Sequence, residues 1–158
     1  HIEDSAQLYR LAPDSAAHWA DLGSGGGFPG LVVAILAHER TPDLRVTLVE
    51  SDRRKCAFLR AVLRETGVAA DVKSARIEAL TPLEADVLSA RALADLSTLL
   101  GFAARHMSTR GIALFPKGAS WQKEVETARR DWRFALSHST SLTEPQAVIL
   151  KIGGISRV

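Results

Sequence analysis

The sequence predicts an α/β protein: a doubly wound, mostly parallel sheet with helices on both faces and an antiparallel hairpin at its C-terminal edge. Three observations carry this. Apolar strand-like runs alternate with amphipathic helical stretches along most of the chain, the pattern of a parallel sheet covered on both sides. The first run leads through Asp21-Leu-Gly-Ser-Gly-Gly-Gly-Phe-Pro-Gly30 straight into a helical stretch, an order that presents backbone N–H groups to a nucleotide-like ligand. The last two runs have no helix between them, so they pair antiparallel.

Taken in order, residues 2–12 read as a short amphipathic helix stopped at Pro13. The chain opens at His1, in what reads as the middle of a helix. The expectation is a single domain over 1–158, with 1–14 as the remnant of a preceding helical region. Strands follow near 17–22, 45–50, 70–73, 86–90 and 111–115. Helices lie near 29–40, 53–66 and 95–106, with a short turn around 76–80. After Lys117 come a helix near 120–130 and strands at 132–138 and 146–152. In the helix 53–66, Cys56, Leu59 and Leu63 face the core and Arg53, Arg60 and Arg64 face outward.

Composition narrows the function. A chain of 158 residues with 46% hydrophobic and 24% charged content is that of a soluble globular domain. No apolar run approaches the ~20 residues that span a bilayer, and no signal peptide is present, so no membrane partner is expected. Cys56 stands alone, which excludes an internal disulfide and a cysteine-based metal site and fits a reducing cytoplasm. His18, His38, His106 and His138 lack ligand spacing, so no metal is expected. A net charge of +2 permits a nucleic-acid partner without demanding one.

The glycine loop says which ligand it suits. Three consecutive glycines, with Gly23 before and Gly30 after, allow close backbone approach and positive φ. Asp21 stands two residues before Gly23, where a carboxylate would repel a pyrophosphate but suits a cationic ligand such as S-adenosylmethionine. The next strand ends at Glu50, 25 residues past Gly25, where doubly wound folds place an acid on ribose hydroxyls. Asp21, Gly23, Gly25 and Glu50 together resemble a class I S-adenosylmethionine-dependent methyltransferase, with its Rossmann-like sheet, more than a dehydrogenase.

Other strand ends add to this. In that architecture the third loop contacts the adenine, and Ile77 and Glu78 are placed to do so; Glu78 reads equally as a solvated turn residue. The fourth strand carries no Asn/Asp-Pro-Pro-Tyr stretch of the kind that grips an exocyclic amine, and puts Arg91 there instead. A cation suits a nucleophile that already has a free lone pair, such as guanine N7, and arginine is a favoured partner of guanine and phosphate. The competing reading pairs Arg91 with Asp95 at i+4. Arg54, Lys55, Arg76 and Lys117 are candidates for RNA contact, Arg76 and Lys117 foremost because they sit at strand ends. Trp121 reads as a base-stacking face or as core.

These residues resemble a known family. The loop from Gly23 to Gly30, Lys55-x-x-Phe58-Leu59, Ala75-Arg76-Ile77-Glu78, Ser89-Ala-Arg91-Ala92, Lys117-Gly118 and the opening His1-Ile-x-Asp4-Ser5 look like the bacterial small-subunit ribosomal RNA guanine-N7 methyltransferases, formerly called glucose-inhibited division protein B. The resemblance spans essentially the whole chain. It implies that Gly23, Phe28, Ile77, Glu78 and Arg91 contact S-adenosylmethionine, that Glu50 holds its ribose, that Arg91 is central to catalysis, and that Arg76 and Lys117 face RNA or cofactor. It also implies small-subunit (16S) ribosomal RNA as partner, either free or within the assembling 30S particle, and a monomeric enzyme. Gln146 stands where many relatives carry a basic residue. The rival readings are an RNA- or nucleotide-binding module without transfer activity and an NAD-dependent oxidoreductase.

Overall fold

A computed structural model describes residues 1–158. The elements run α1 (Ile2–Leu11), β1 (His18–Leu22), α2 (Gly30–Arg40), β2 (Arg45–Glu50), α3 (Arg53–Thr66) and β3 (Asp71–Ser74). A single 3₁₀ turn, Ile77–Ala79, leads to β4 (Ala85–Ala90), α4 (Leu96–His106), β5 (Met107–Lys117), α5 (Trp121–Ala128), β6 (Trp132–Thr140) and β7 (Val148–Arg157). One seven-stranded sheet is ordered β3-β2-β1-β4-β5-β7-β6. Pairing is parallel from β3 to β5, and β7 lies antiparallel to both β5 and β6.

Neighbouring residues along the strands go to opposite faces, as a pleated strand requires. Leu48, Val87, Leu114 and Ile149 join one apolar cluster, with Trp19 and with Leu59 of α3. Their successors Val49, Leu88, Phe115 and Leu150 join the other, with Leu99 of α4 and Val125 of α5. These central strands are therefore apolar on both sides, as in a sheet covered on both faces. In α3, Cys56, Leu59 and Leu63 are buried while Arg53, Arg60 and Arg64 are exposed, as the spacing predicts. That helix starts where Asp52 accepts from the N–H groups of Arg54 and Lys55, and stops at Gly67 with φ +70°.

The structure lengthens two strands beyond their sequence patterns. Gly111 lets β5 continue through Ser108-Thr-Arg110, because a Cβ there would meet the Ala85 carbonyl oxygen at 2.7 Å. Gly154, at φ +61°, bends β7 without ending it, and the strand pairs onward with Trp132 and Arg133. Helix α5 is shorter than expected, at Trp121–Ala128.

β1 is flanked by β2 on one side and β4 on the other, so the winding reverses between β1 and β4. Ligand crevices open at the carboxyl ends of strands at such a point. α1 crosses toward the far end of the chain: Gln7 Nε2 donates to the Thr140 carbonyl at 2.9 Å, and its Oε1 accepts from Leu142 N–H at 3.1 Å.

Candidate functional site

The floor of the crevice is a buried polar relay. Trp19 Nε1 donates to Ser89 Oγ at 2.9 Å, and Ser89 donates to Asp21 Oδ1 at 2.7 Å. Ser24 donates to Asp21 Oδ2 at 2.8 Å. Asp21 is fully buried, and burial pushes its pKa up from 3.8 to about 6, against the hydrogen bonds from Ser89 and Ser24 that favour the anion. Gly30 makes this approach possible: a Cβ there would lie 2.5 Å from Asp21 Oδ2. The loop above is pinned by Gly23 and Ser24, whose N–H groups donate to the Val49 carbonyl at 2.8 and 3.0 Å.

Asp21 shapes the loop from below and lines neither of the two cavities that meet at Arg91, because two hydroxyls and the close helix start enclose it completely. Phe28, half-buried with its ring 5.7 Å from that of His1, also lines neither. The same holds for Arg54, exposed on α3.

The first cavity, of about 400 Å³, brings together Gly23, Gly25, Glu50, Lys55, Arg76, Ile77, Glu78 and Arg91. Gly23 sits at φ +68°, and a Cβ on it would reach Leu93 Cδ1 at 2.9 Å. Glu50 accepts from Gly25 N–H through Oε1 and from Asp52 N–H through Oε2, both at 2.9 Å. Each oxygen keeps a lone pair for a further donor. Ile77 is held by His106: Nε2–H donates to the Ile77 carbonyl at 2.8 Å, while Nδ1 accepts from Leu83 N–H at 3.3 Å. Burial holds the His106 pKa below its ordinary value, which keeps the ring neutral for this pair of bonds. Glu78 projects outward beside Arg76 at 4.0 Å, an exposed pair of little energetic weight. Leu93 and Ala94, just before α4, and Phe102, on α4, add to the wall; none of the three belongs to a motif that marks it in the sequence.

The second cavity, of about 700 Å³, lies between α1, the end of β5 and the segment 141–149. The two cavities share Arg91 and Ala92. Ala92 holds φ +50°, a left-handed conformation unusual for a residue with a Cβ, and it turns the chain at this partition. Arg91 is free of Asp95, whose carboxylate instead caps α4 by accepting from Thr98. Lys117 lines this cavity with its ammonium turned inward, donating to the Ala94 carbonyl and to Glu124 Oε1, both at 3.0 Å. Trp121 packs against the core and lies 4.7 Å from the His138 ring.

The first cavity fits a nucleoside that carries an amino-acid tail. Glycines at positive φ open its floor, a carboxylate held by two backbone N–H groups faces it, and Ile77 and Phe102 supply an apolar wall for a flat ring. Arg91 supplies a cation at the edge shared with the second cavity.

Comparison with known proteins adds the context. Residues 1–150 match the family model described as GidB, rRNA small subunit methyltransferase G. Over all 158 residues the chain is 61% identical to the ribosomal RNA small subunit methyltransferase G of a Ruegeria species and 60% identical to that of Ruegeria pomeroyi; it spans 77% of the length of each. Among solved structures, it resembles the mitomycin 7-O-methyltransferase MmcR, with TM-score 0.73 and 16% identity over 96% of this chain and 53% of that one. It also resembles the M. jannaschii TYW2 in complex with AdoMet, with TM-score 0.72 and 11% identity over 99% of this chain and 76% of that one. At these identities the two structures speak for the shared fold.

Proposed function

The chain belongs to the GidB family of small-subunit ribosomal RNA methyltransferases, and from that premise we propose that it moves a methyl group from S-adenosylmethionine to N7 of a guanine in that RNA. The observation that carries this reading is the partition: the charged side chain common to both cavities is Arg91. A guanidinium is a hydrogen-bond donor with no acceptor and cannot serve as a general base. Guanine N7 has a lone pair and no proton to lose, so it needs none.

The first cavity holds the donor. S-adenosylmethionine bound there supplies an electrophilic methyl on a cationic sulfur. Glu50 accepts from the ribose hydroxyls, Ile77 and Glu78 serve the adenine, and Gly23 and Gly25 let the backbone approach the amino-acid part. Asp21 favours the cationic donor from beneath the loop. Arg91 orients both substrates at the boundary, donating toward the guanine O6 edge. Lys55 and Arg76 stand at the donor rim and Arg54 outside it, where RNA phosphates pass. Catalysis rests on alignment, which supplies up to about 7–11 kcal/mol for well-oriented partners.

The partner is small-subunit ribosomal RNA, free or within an assembling 30S particle, met by a monomer in the cytoplasm. No helix is long and apolar enough to cross a membrane. The relatives' names favour an enzyme over a binding module. The test is labelled methyl transfer to small-subunit RNA and particles from cells lacking the protein, followed by mapping of the modified base. Arg91→Ala should reduce transfer at least a hundredfold, about 3 kcal/mol, with the fold intact. A modified base other than guanine, or full turnover without Arg91, overturns the reading.

A further inference from the structure

We infer that Asp4 reads the 2-amino group of the acceptor guanine from the wall of the second cavity, a role that rests on the methyl transfer proposed above. A base that receives a methyl directly must occupy the cavity sharing the Arg91–Ala92 partition with the donor, and enzymes working on a base draw it out of its stack into such a pocket. With N7 at the partition, the exocyclic N2 amino group is the donor farthest from it, and it faces a wall away from Arg91.

Three carboxylates line this cavity. Glu124 is neutralised by Lys117 at 3.0 Å. Glu144 is exposed on the connecting segment. Asp4 differs from both. It is half-buried, no cationic side chain pairs with it, and its orientation is fixed through Oδ1, which accepts from Thr143 Oγ1 at 2.5 Å and from Ser141 Oγ at 3.2 Å. Oδ2 is left with no protein donor. A carboxylate held this way is preorganised to accept one more hydrogen bond.

The chemistry makes this bond more than a contact. As N7 forms its bond to the methyl carbon, the carbon–sulfur bond breaks, its electron pair stays on sulfur, and the positive charge passes to the purine. The N2–H groups become stronger donors, so their bond to Asp4 tightens on the way to the transition state. An interaction that strengthens there raises kcat as well as affinity.

The experiment uses small-subunit RNA in which inosine replaces the mapped guanine, removing only the 2-amino group. For the wild-type chain, inosine should lower kcat/KM tenfold or more, part of it in kcat, the size expected for a hydrogen bond to a charged group. For Asp4→Ala, guanine RNA should be methylated at the wild type's inosine rate, with no further loss on inosine and unchanged donor affinity by calorimetry. Asp4→Asn, which keeps the Oδ1 acceptor for Ser141 and Thr143, separates reading from latching and should show the same loss of discrimination. Equal discrimination by wild type and a folded variant, or none by the wild type, overturns the Asp4 role alone. A wild-type chain that methylates no guanine overturns the functional reading and this role with it.

Discussion

Ser89 donates its hydroxyl hydrogen to Asp21 across 2.7 Å, and this bond joins the ends of β1 and β4 where the winding of the sheet reverses. The direction of the bond is fixed by Trp19: its indole N–H can only donate, so the Ser89 oxygen accepts from it and its hydrogen turns to the carboxylate. The glycine loop thus rests on an acid that is fully buried and oriented by two hydroxyls.

That acid should make stability depend on pH. The Asp21 pKa rises from 3.8 to about 6 on folding, so between these values the folded chain binds more protons than the unfolded one. Stability from this group is full below pH 4 and is lost as pH rises through 6, a span of about 3 kcal/mol. Asp21→Asn carries no titration. The difference in unfolding free energy between wild type and variant, measured in urea from pH 4 to pH 7, should move by about that amount against the wild type. A difference independent of pH would mean that Asp21 stays ionised throughout.

Glu50 should control donor affinity through the loop as well as through the ribose. Both oxygens accept backbone N–H groups, from Gly25 and from Asp52. Glu50→Gln places an NH₂ group against one of these donors, so one bond becomes a donor–donor clash. S-adenosylmethionine binding by calorimetry should weaken about ten- to a hundredfold, while a loss of less than twofold would remove Glu50 from the site.

What the sequence made legible was local. Asp21, the glycines and Glu50 announce themselves because strand, loop and acid follow within one βαβ unit, and the apolar runs of β1, β2 and β4 match their patterns. Two things were illegible. The sequence places Asp21 at a strand end but carries no mark of the Ser24 and Ser89 hydroxyls that enclose it, so its retreat from the cavity could not be read. The second cavity is closed by Asp4 meeting Ser141 and Thr143, residues nearly a whole chain length apart that no periodicity connects. β5 and β7 run past the apolar stretches 111–115 and 146–152 because Gly111 accepts close contact with the Ala85 carbonyl and Gly154 a bend, both set by neighbouring strands.

Lys117 shows the same limit, and its test distinguishes structure from RNA contact. Its ammonium lies 3.0 Å from Glu124 Oε1, with side-chain exposures of 10% and 26%. It also donates to Ala94, while Glu124 Oε1 accepts from Leu96 N–H, so the pair ties the end of β5 to α5 and to the start of α4. Lys117→Met leaves a mostly enclosed carboxylate with one backbone partner and should cost about 2 kcal/mol, below the full penalty for a buried pair because Glu124 retains some water. Adding Glu124→Gln should restore part of it, a coupling of about 1–2 kcal/mol in urea unfolding. A lysine whose charge is spent inside the protein releases no counterion from RNA. The slope of log affinity against log salt should therefore be the same for Lys117→Met as for wild type, whereas Arg76→Ala, removing an exposed cation, should lower it by about one unit. A matching drop for Lys117→Met would place that side chain on a phosphate.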